Sequence, residues 1–204
     1  YYAGMRHIPA GGARALYRQL PEVAESVRYA VFEAESVGLR VPDGRDAQDS
    51  GHDAARRPGI ERVETGVVQV DHHWKTVKLR DGFENPVIVT GPPTMHGAEP
   101  GAVRCQGVSR SSFDIRFQEW PELDGSHLRE SVRWLAVESG CWPGKRRCAV
   151  EACNVRVSAD GWQHVSFAGR FAATPVVFTQ VHTTNTETAV TVRIQNVTKE
   201  GFDV

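Results

Sequence analysis

One run of residues appears twice in this chain, and that repeat is what most limits the folds open to it. Val103-Arg104-Cys105-Gln106-Gly107-Val108 followed by Phe113-Asp114-Ile115 recurs as Val192-Arg193-Ile194-Gln195-Asn196-Val197 followed by Phe202-Asp203-Val204. The Val-Arg, Gln, Val and Phe-Asp positions keep their spacing, with Arg193 in the place of Arg104. Self-similarity at a fixed step means an array of like units, each here of roughly 90 residues. Within the first copy, Phe113, Ile115 and Phe117 alternate with Asp114, Arg116 and Gln118. A period of two residues is that of a half-buried strand.

The same reading extends along the chain. Val67–Val70, Trp74–Leu79, Val87–Val89, the Val103 and Phe113 runs and Ser131–Val137 make six short strands, with Gly91 to Gly101 read as loop. Strands of this length and spacing predict an antiparallel sandwich. Val155–Val157, Trp162–Phe167 and Phe171–Phe178 then repeat the first three. Residues 13–20 contain good helix formers. Even so, Leu20-Pro21-Glu22-Val23 and Glu25-Ser26-Val27-Arg28-Tyr29 mirror Trp120-Pro121-Glu122-Leu123 and Glu130-Ser131-Val132-Arg133-Trp134. Residues 1–38 are therefore read as the last strands of an earlier unit.

The expected fold is all-β: tandem six-stranded antiparallel β-sandwiches with incomplete terminal units. Residues 1–38 form the C-terminal half of a unit, and 39–63, rich in Asp, Arg, Gly and Pro, form a linker. Residues 64–140 form a complete unit, 141–150 a Cys-containing linker, and 151–204 the N-terminal part of a further unit. Both ends read as cut, and the chain as a piece of something longer. Half-units left alone expose strand edges. Completion is expected from chain outside the segment or from a neighbouring copy; pairing of the two terminal pieces with each other would instead make a permuted arrangement.

Composition excludes several functions. The formal net charge is −1, which gives no field for nucleic acid or an anionic membrane. No apolar run approaches the ~20 residues of a membrane-spanning helix. Phosphate-loop, dinucleotide and nucleophile-elbow motifs are absent from the sequence. Glu119, Glu122, Asp124 and Glu130 could offer a carboxylate pair or a calcium ligand, but read more simply as a turn and a solvated edge. Adjacent strand residues face opposite ways, so His72 and His73 are not expected to share an ion, and His96 and His127 read as surface histidines. Neither enzyme chemistry nor a cofactor or metal is expected.

Cys141, Cys148 and Cys153 lack the paired spacing of zinc sites. They fit an extracellular disulfide, with free thiols as the alternative and no connectivity implied. Asn196-Val197-Thr198 matches the N-glycosylation acceptor pattern. Trp74, Trp134 and Trp162 lie in strand runs and suit packing.

Residues 64–140 carry Glu-Thr-Gly, Trp-Lys-Thr-Val, Pro-Val-Ile-Val, Val-Arg, Phe-Asp-Ile, Trp and Ser-Val-Arg-Trp-Leu-Ala-Val-Glu in order. This set resembles the H-type lectin domain of snail agglutinins and discoidin C-terminal domains, in a tandem version. The resemblance implies a six-stranded sandwich that trimerises and binds galactose or N-acetylgalactosamine at clefts between protomers, without metal. It makes Arg104 the sugar-binding arginine, Arg193 its counterpart in the next unit, and Trp120 the aromatic contact. Pro121 stands where the agglutinins have a histidine, which removes one donor, and Leu20 replaces the tryptophan in the first unit.

An Arg with a Trp suits a sugar, because planar donors meet hydroxyls while the aromatic face takes the apolar side of the ring. The same two residues could equally hold units together. Two functions follow as expectations. One is an extracellular or cell-surface carbohydrate-binding and adhesion module. The other is a structural building block of a surface filament. Expected partners are glycans and neighbouring repeats or copies.

Overall fold

The structure, a computed structural model, describes residues 25–33, 63–80, 82–144, 146–158 and 161–204. Among the described residues there are twelve strands and no helix. In chain order they are β1 (Glu25–Phe32), β2 (Val63–Val70), β3 (Lys75–Lys78), β4 (Pro86–Pro93), β5 (Gly101–Gln106) and β6 (Ser112–Glu119). Then come β7 (Glu130–Glu138), β8 (Gly140–Gly144), β9 (Arg147–Val157), β10 (His164–Ser166), β11 (Val176–Val181) and β12 (Gly201–Asp203).

Every strand pair is antiparallel. Sheet β2-β7-β4 faces sheet β3-β6-β5. The alternation in β6 becomes the core between them: Phe113, Ile115 and Phe117 point inward to meet Val68, Ile88, Val132 and Trp134. Phe113 meets Trp134 edge to face, ring centroids 5.4 Å apart. These six strands are the first lobe. In the second lobe, sheet β11-β1-β9-β8 faces the β10-β12 pair across Val27, Tyr29, Val31, Phe171 and Phe202.

A third apolar cluster joins the lobes. Ala30, Phe32, Val150 and Ala152, on the opposite face of β1 and β9, pack against Val87, Val89 and Val137 of β4 and β7. The molecule is thus four β layers with three apolar seams.

The internal repeat is visible in the pairing. Val67 lies opposite Arg133 as Asn154 lies opposite Arg28, and Val87 opposite Val137 as Val176 opposite Phe32. Val77 opposes Phe113 as Val165 opposes Phe202. Carboxylates repeat as well. Glu138 accepts the backbone N–H groups of Glu84 and Asn85, and Glu33 those of Ala172 and Ala173. In both lobes a Glu ending a strand neutralises amide dipoles of a loop that would otherwise lack partners.

Four expectations change. β1 lies between β9 and β11, so the terminal segments pair with each other inside one chain, not with strands from outside. Both hydrogen-bonding edges of β1 are satisfied that way. The expected linker 141–150 is a hairpin: β8 and the start of β9 fold back and add a fourth strand to the sheet. The loop expected from Gly91 begins later, because β4 continues through a bulge between Thr90 and Pro93. Val63, placed at the end of a linker, opens β2. The readings of residues 1–24 and 34–62 lie outside the described residues.

Candidate functional site

The cleft between the lobes is built from the end of β4. That strand is an edge of its sheet, where Pro92 and Pro93 break no interior ladder. The opening has a volume of about 290 Å³. Residues 90–93 and 101–103 with Trp120 line one wall, and residues 179–181 and 190–192 line the other. No lining residue is charged. The walls offer threonine hydroxyls, backbone groups, proline rings and one indole.

Gln180 keys the lobes together at this point. Its Nε2 donates to the Val103 carbonyl at 3.0 Å, and its Oε1 accepts from the Thr90 hydroxyl at 2.6 Å. Arg104, one residue along β5 from the cleft wall, is 0 % exposed. Its guanidinium donates to the carbonyls of Thr188 and Thr183, both at 2.9 Å, and to Gln118 Oε1 at 3.3 Å. Burial lowers its pKa from the usual arginine value, partly opposed by the Glu25 carboxylate. Gln118 and Gln106 bond the same loop through the Glu187 carbonyl and the Thr184 hydroxyl. Arg104 thus fastens the 183–188 loop onto β5, and its terminal nitrogens face carbonyls of the second lobe.

The other residues singled out in the sequence lie apart. Trp120, half-buried, reaches the cleft. Arg193 is exposed on the second lobe and does not line it. Asn196 is exposed with φ 50°, and its amide donates to Asp203 at 2.8 Å. Cys141 and Cys148 are joined across the β8–β9 hairpin, while Cys153 is an exposed free thiol. Trp134 is core and Trp162 is 53 % exposed. Trp74 carries the Arg116 guanidinium 4.6 Å above its ring.

Sequence reasoning placed His127 and its acidic neighbours at the surface, and the structure corrects this. His127, Glu119 and Glu130 are all buried. His127 Nδ1 is 2.9 Å from Glu119 Oε1, Nε2 is 3.4 Å from Glu130 Oε1, and the ring stacks on Phe117 at 3.9 Å. Glu130 also accepts the N–H groups of His96 and Gly97 and the Thr94 hydroxyl. Burial alone would raise its pKa, but these bonds and His127 hold it at about 2. The cluster pins two loops beside the cleft. No strand alternation marks a loop histidine, so periodicity could not find it.

His72 and His73 sit in a bend, where the strand rule of opposite faces does not apply: their rings lie tilted to each other with centroids 4.0 Å apart, and their ligating atoms lie near those of Asp71. A comparable grouping joins Glu99, Glu119 and His127.

One residue past the cleft-lining Val181, His182 is buried, with Nε2 bonded to the Ile88 carbonyl. Burial, with the nearby Arg28 charge, lowers its pKa to about 3.

No helix of the described residues is long and apolar enough to cross a membrane. No family model and no solved structure matches the chain. A stretch of 139 residues is 32 % identical to halomucin of Haloquadratum walsbyi, covering 64 % of this chain and 2 % of that protein.

Proposed function

We propose that the chain is an extracellular carbohydrate-binding or adhesion module of H-type-lectin-like architecture, with a neutral glycan seated in the cleft between the lobes. The observation that carries this is the pairing of Trp120 with uncharged, hydroxyl-bearing walls. An aromatic face takes the C–H side of a sugar ring, and threonine hydroxyls and backbone groups meet its hydroxyls. Arg104 is the positioning residue in this reading: it holds the 183–188 loop and so sets the width of the cleft. The likeness to halomucin fits an extracellular surface setting.

Glycan-array binding of the full chain tests this, with Trp120→Ala as the site variant. Removing the platform should weaken binding at least tenfold, equivalent to about 1.4 kcal/mol. Arg104→Lys should weaken it less. A blank array, or binding indifferent to Trp120, rules the reading out.

A second reading has its own support. Arg104, with its terminal nitrogens bonded across the seam, behaves as an assembly residue, and this favours a lectin-like unit used as structural material.

A further inference from the structure

Three side chains converge beside the cleft: Glu99 from the exposed β4–β5 loop, Glu119 from the end of β6, and His127 from the β6–β7 loop. One ligating atom from each lies within 4.8 Å of the other two. The His127 and Glu119 side chains are 2 % and 1 % exposed, while Glu99 is exposed. Two carboxylates this close repel unless a proton or a cation lies between them.

The histidine is set up as a ligand. Nδ1 is 2.9 Å from Glu119 Oε1, and Nε2 is 3.4 Å from Glu130 Oε1. Two atoms bound at about 2.1 Å to one zinc-sized ion stand roughly 3.0–3.4 Å apart, so Nδ1 and Oε1 already have nearly the separation of neighbouring ligands. A ligating imidazole needs one bare nitrogen and gives its other N–H to a carboxylate or carbonyl, which fixes tautomer and ring. Glu130 stands at that second nitrogen, itself held by the Thr94 hydroxyl and the His96 and Gly97 N–H groups. The ring is confined too: Phe117 stacks on it, and a Cβ on Gly97 would lie 2.6 Å from Cε1. The Asp71, His72 and His73 group lacks this build. The His73 side chain is 75 % exposed, the Arg129 guanidinium lies 3.7 Å from Asp71 Oδ2, and His72 Nδ1 accepts the His127 N–H at 3.2 Å.

We infer that Glu99, Glu119 and His127 bind one divalent transition-metal ion of the zinc class, with Glu130 as the positioning residue behind His127. One imidazole nitrogen and two carboxylate oxygens suit such an ion, with water completing its shell. A hard ion such as calcium takes oxygen ligands only. Binding frees Nδ1 of any proton, which leaves to solvent, and the Nε2–H donates to Glu130. The ion ties the β4–β5 loop to the end of β6, and the nearby Gly101 and Trp120 line the cleft. The site goes beyond the glycan reading and does not depend on it.

The test is calorimetric titration of the full chain, stripped with EDTA, with Zn²⁺ and with Ca²⁺ as the hard-ion control. The wild type should bind Zn²⁺ in preference. Glu99→Gln is the principal variant, because Glu99 is exposed, and it should weaken Zn²⁺ binding at least tenfold. His73→Ala should leave binding unchanged. Glu130→Gln should weaken it about ten- to a hundredfold, and with Co²⁺ as the probe it should also shift the visible absorption of the bound ion. A wild type that binds no Zn²⁺, or prefers Ca²⁺, overturns the inference. So does binding indifferent to Glu99→Gln or lost with His73→Ala. An unchanged Co²⁺ spectrum in Glu130→Gln overturns its positioning role. Glycan binding is a separate measurement, so failure of either reading is seen on its own.

Discussion

His182 and Glu130 are single residues whose titration controls different pH windows. His182 has a folded pKa near 3 against an ordinary value of 6.5. The folded chain keeps it neutral while the unfolded chain takes up a proton, so stability falls as pH drops below about 6.5. The slope from this one site reaches at most ~1.4 kcal/mol per pH unit. His182→Gln should flatten the pH dependence of the urea midpoint between pH 6.5 and 4, and an unchanged slope would refute this. Glu130 has a folded pKa of about 2 against 4.5. Its stabilisation is complete above 4.5 and lost as pH falls toward 2. Glu130→Gln should therefore be less stable than wild type at pH 7, with the gap closing in acid. Neither residue was legible in the sequence as a buried group. A histidine is buried only if distant segments enclose it, and the enclosing carbonyl of Ile88 is remote in the chain from His182. Arg104 was found for a different reason, because the family resemblance marked it and Arg193 repeats its position. Its partners, the Thr183 and Thr188 carbonyls, carry no side-chain signature at all.

At the scale of strands, local pattern was informative and pairing was not. The β6 alternation appears unchanged as burial, and the six strands expected between Val67 and Val137 are β2 to β7. The hairpin at 141–150 was missed because Pro143 and Gly144 read as linker residues while they make the turn approach. Pairing also fixes where small residues must stand. Gly66 faces Trp134 across β2 and β7, and a Cβ there would lie 2.5 Å from the indole. A buried ring held by Phe113 has nowhere to move. Gly66→Ala should destabilise the first lobe by about 1–3 kcal/mol, read by urea denaturation. A neutral effect would mean that the strand backbone yields there.

For the whole molecule, the seam decides whether two lobes behave as one. Phe32 and Val150 touch Val87, Val89 and Val137, so neither sheet keeps its outer face dry without the other. Phe32→Ala should remove about 3–4 kcal/mol and split a single unfolding transition into two, followed by fluorescence and calorimetry together. One unbroken transition in the variant would show that the lobes are coupled elsewhere. The position of β1 has a further meaning in time. The first lobe is closed by strands that follow one another, and it can fold as soon as it is made. β1 is made before all of them, yet its neighbours Val155 and Val181 are made after them. During synthesis Val27, Tyr29 and Val31 lack their β9 and β11 partners until those strands have emerged, so among the described strands β1 waits longest for its neighbours. Loop closure over that span is slow relative to local pairing. A growing chain therefore carries an open strand past a finished lobe, which makes β1 the point where a chaperone or a neighbouring nascent chain would first take hold.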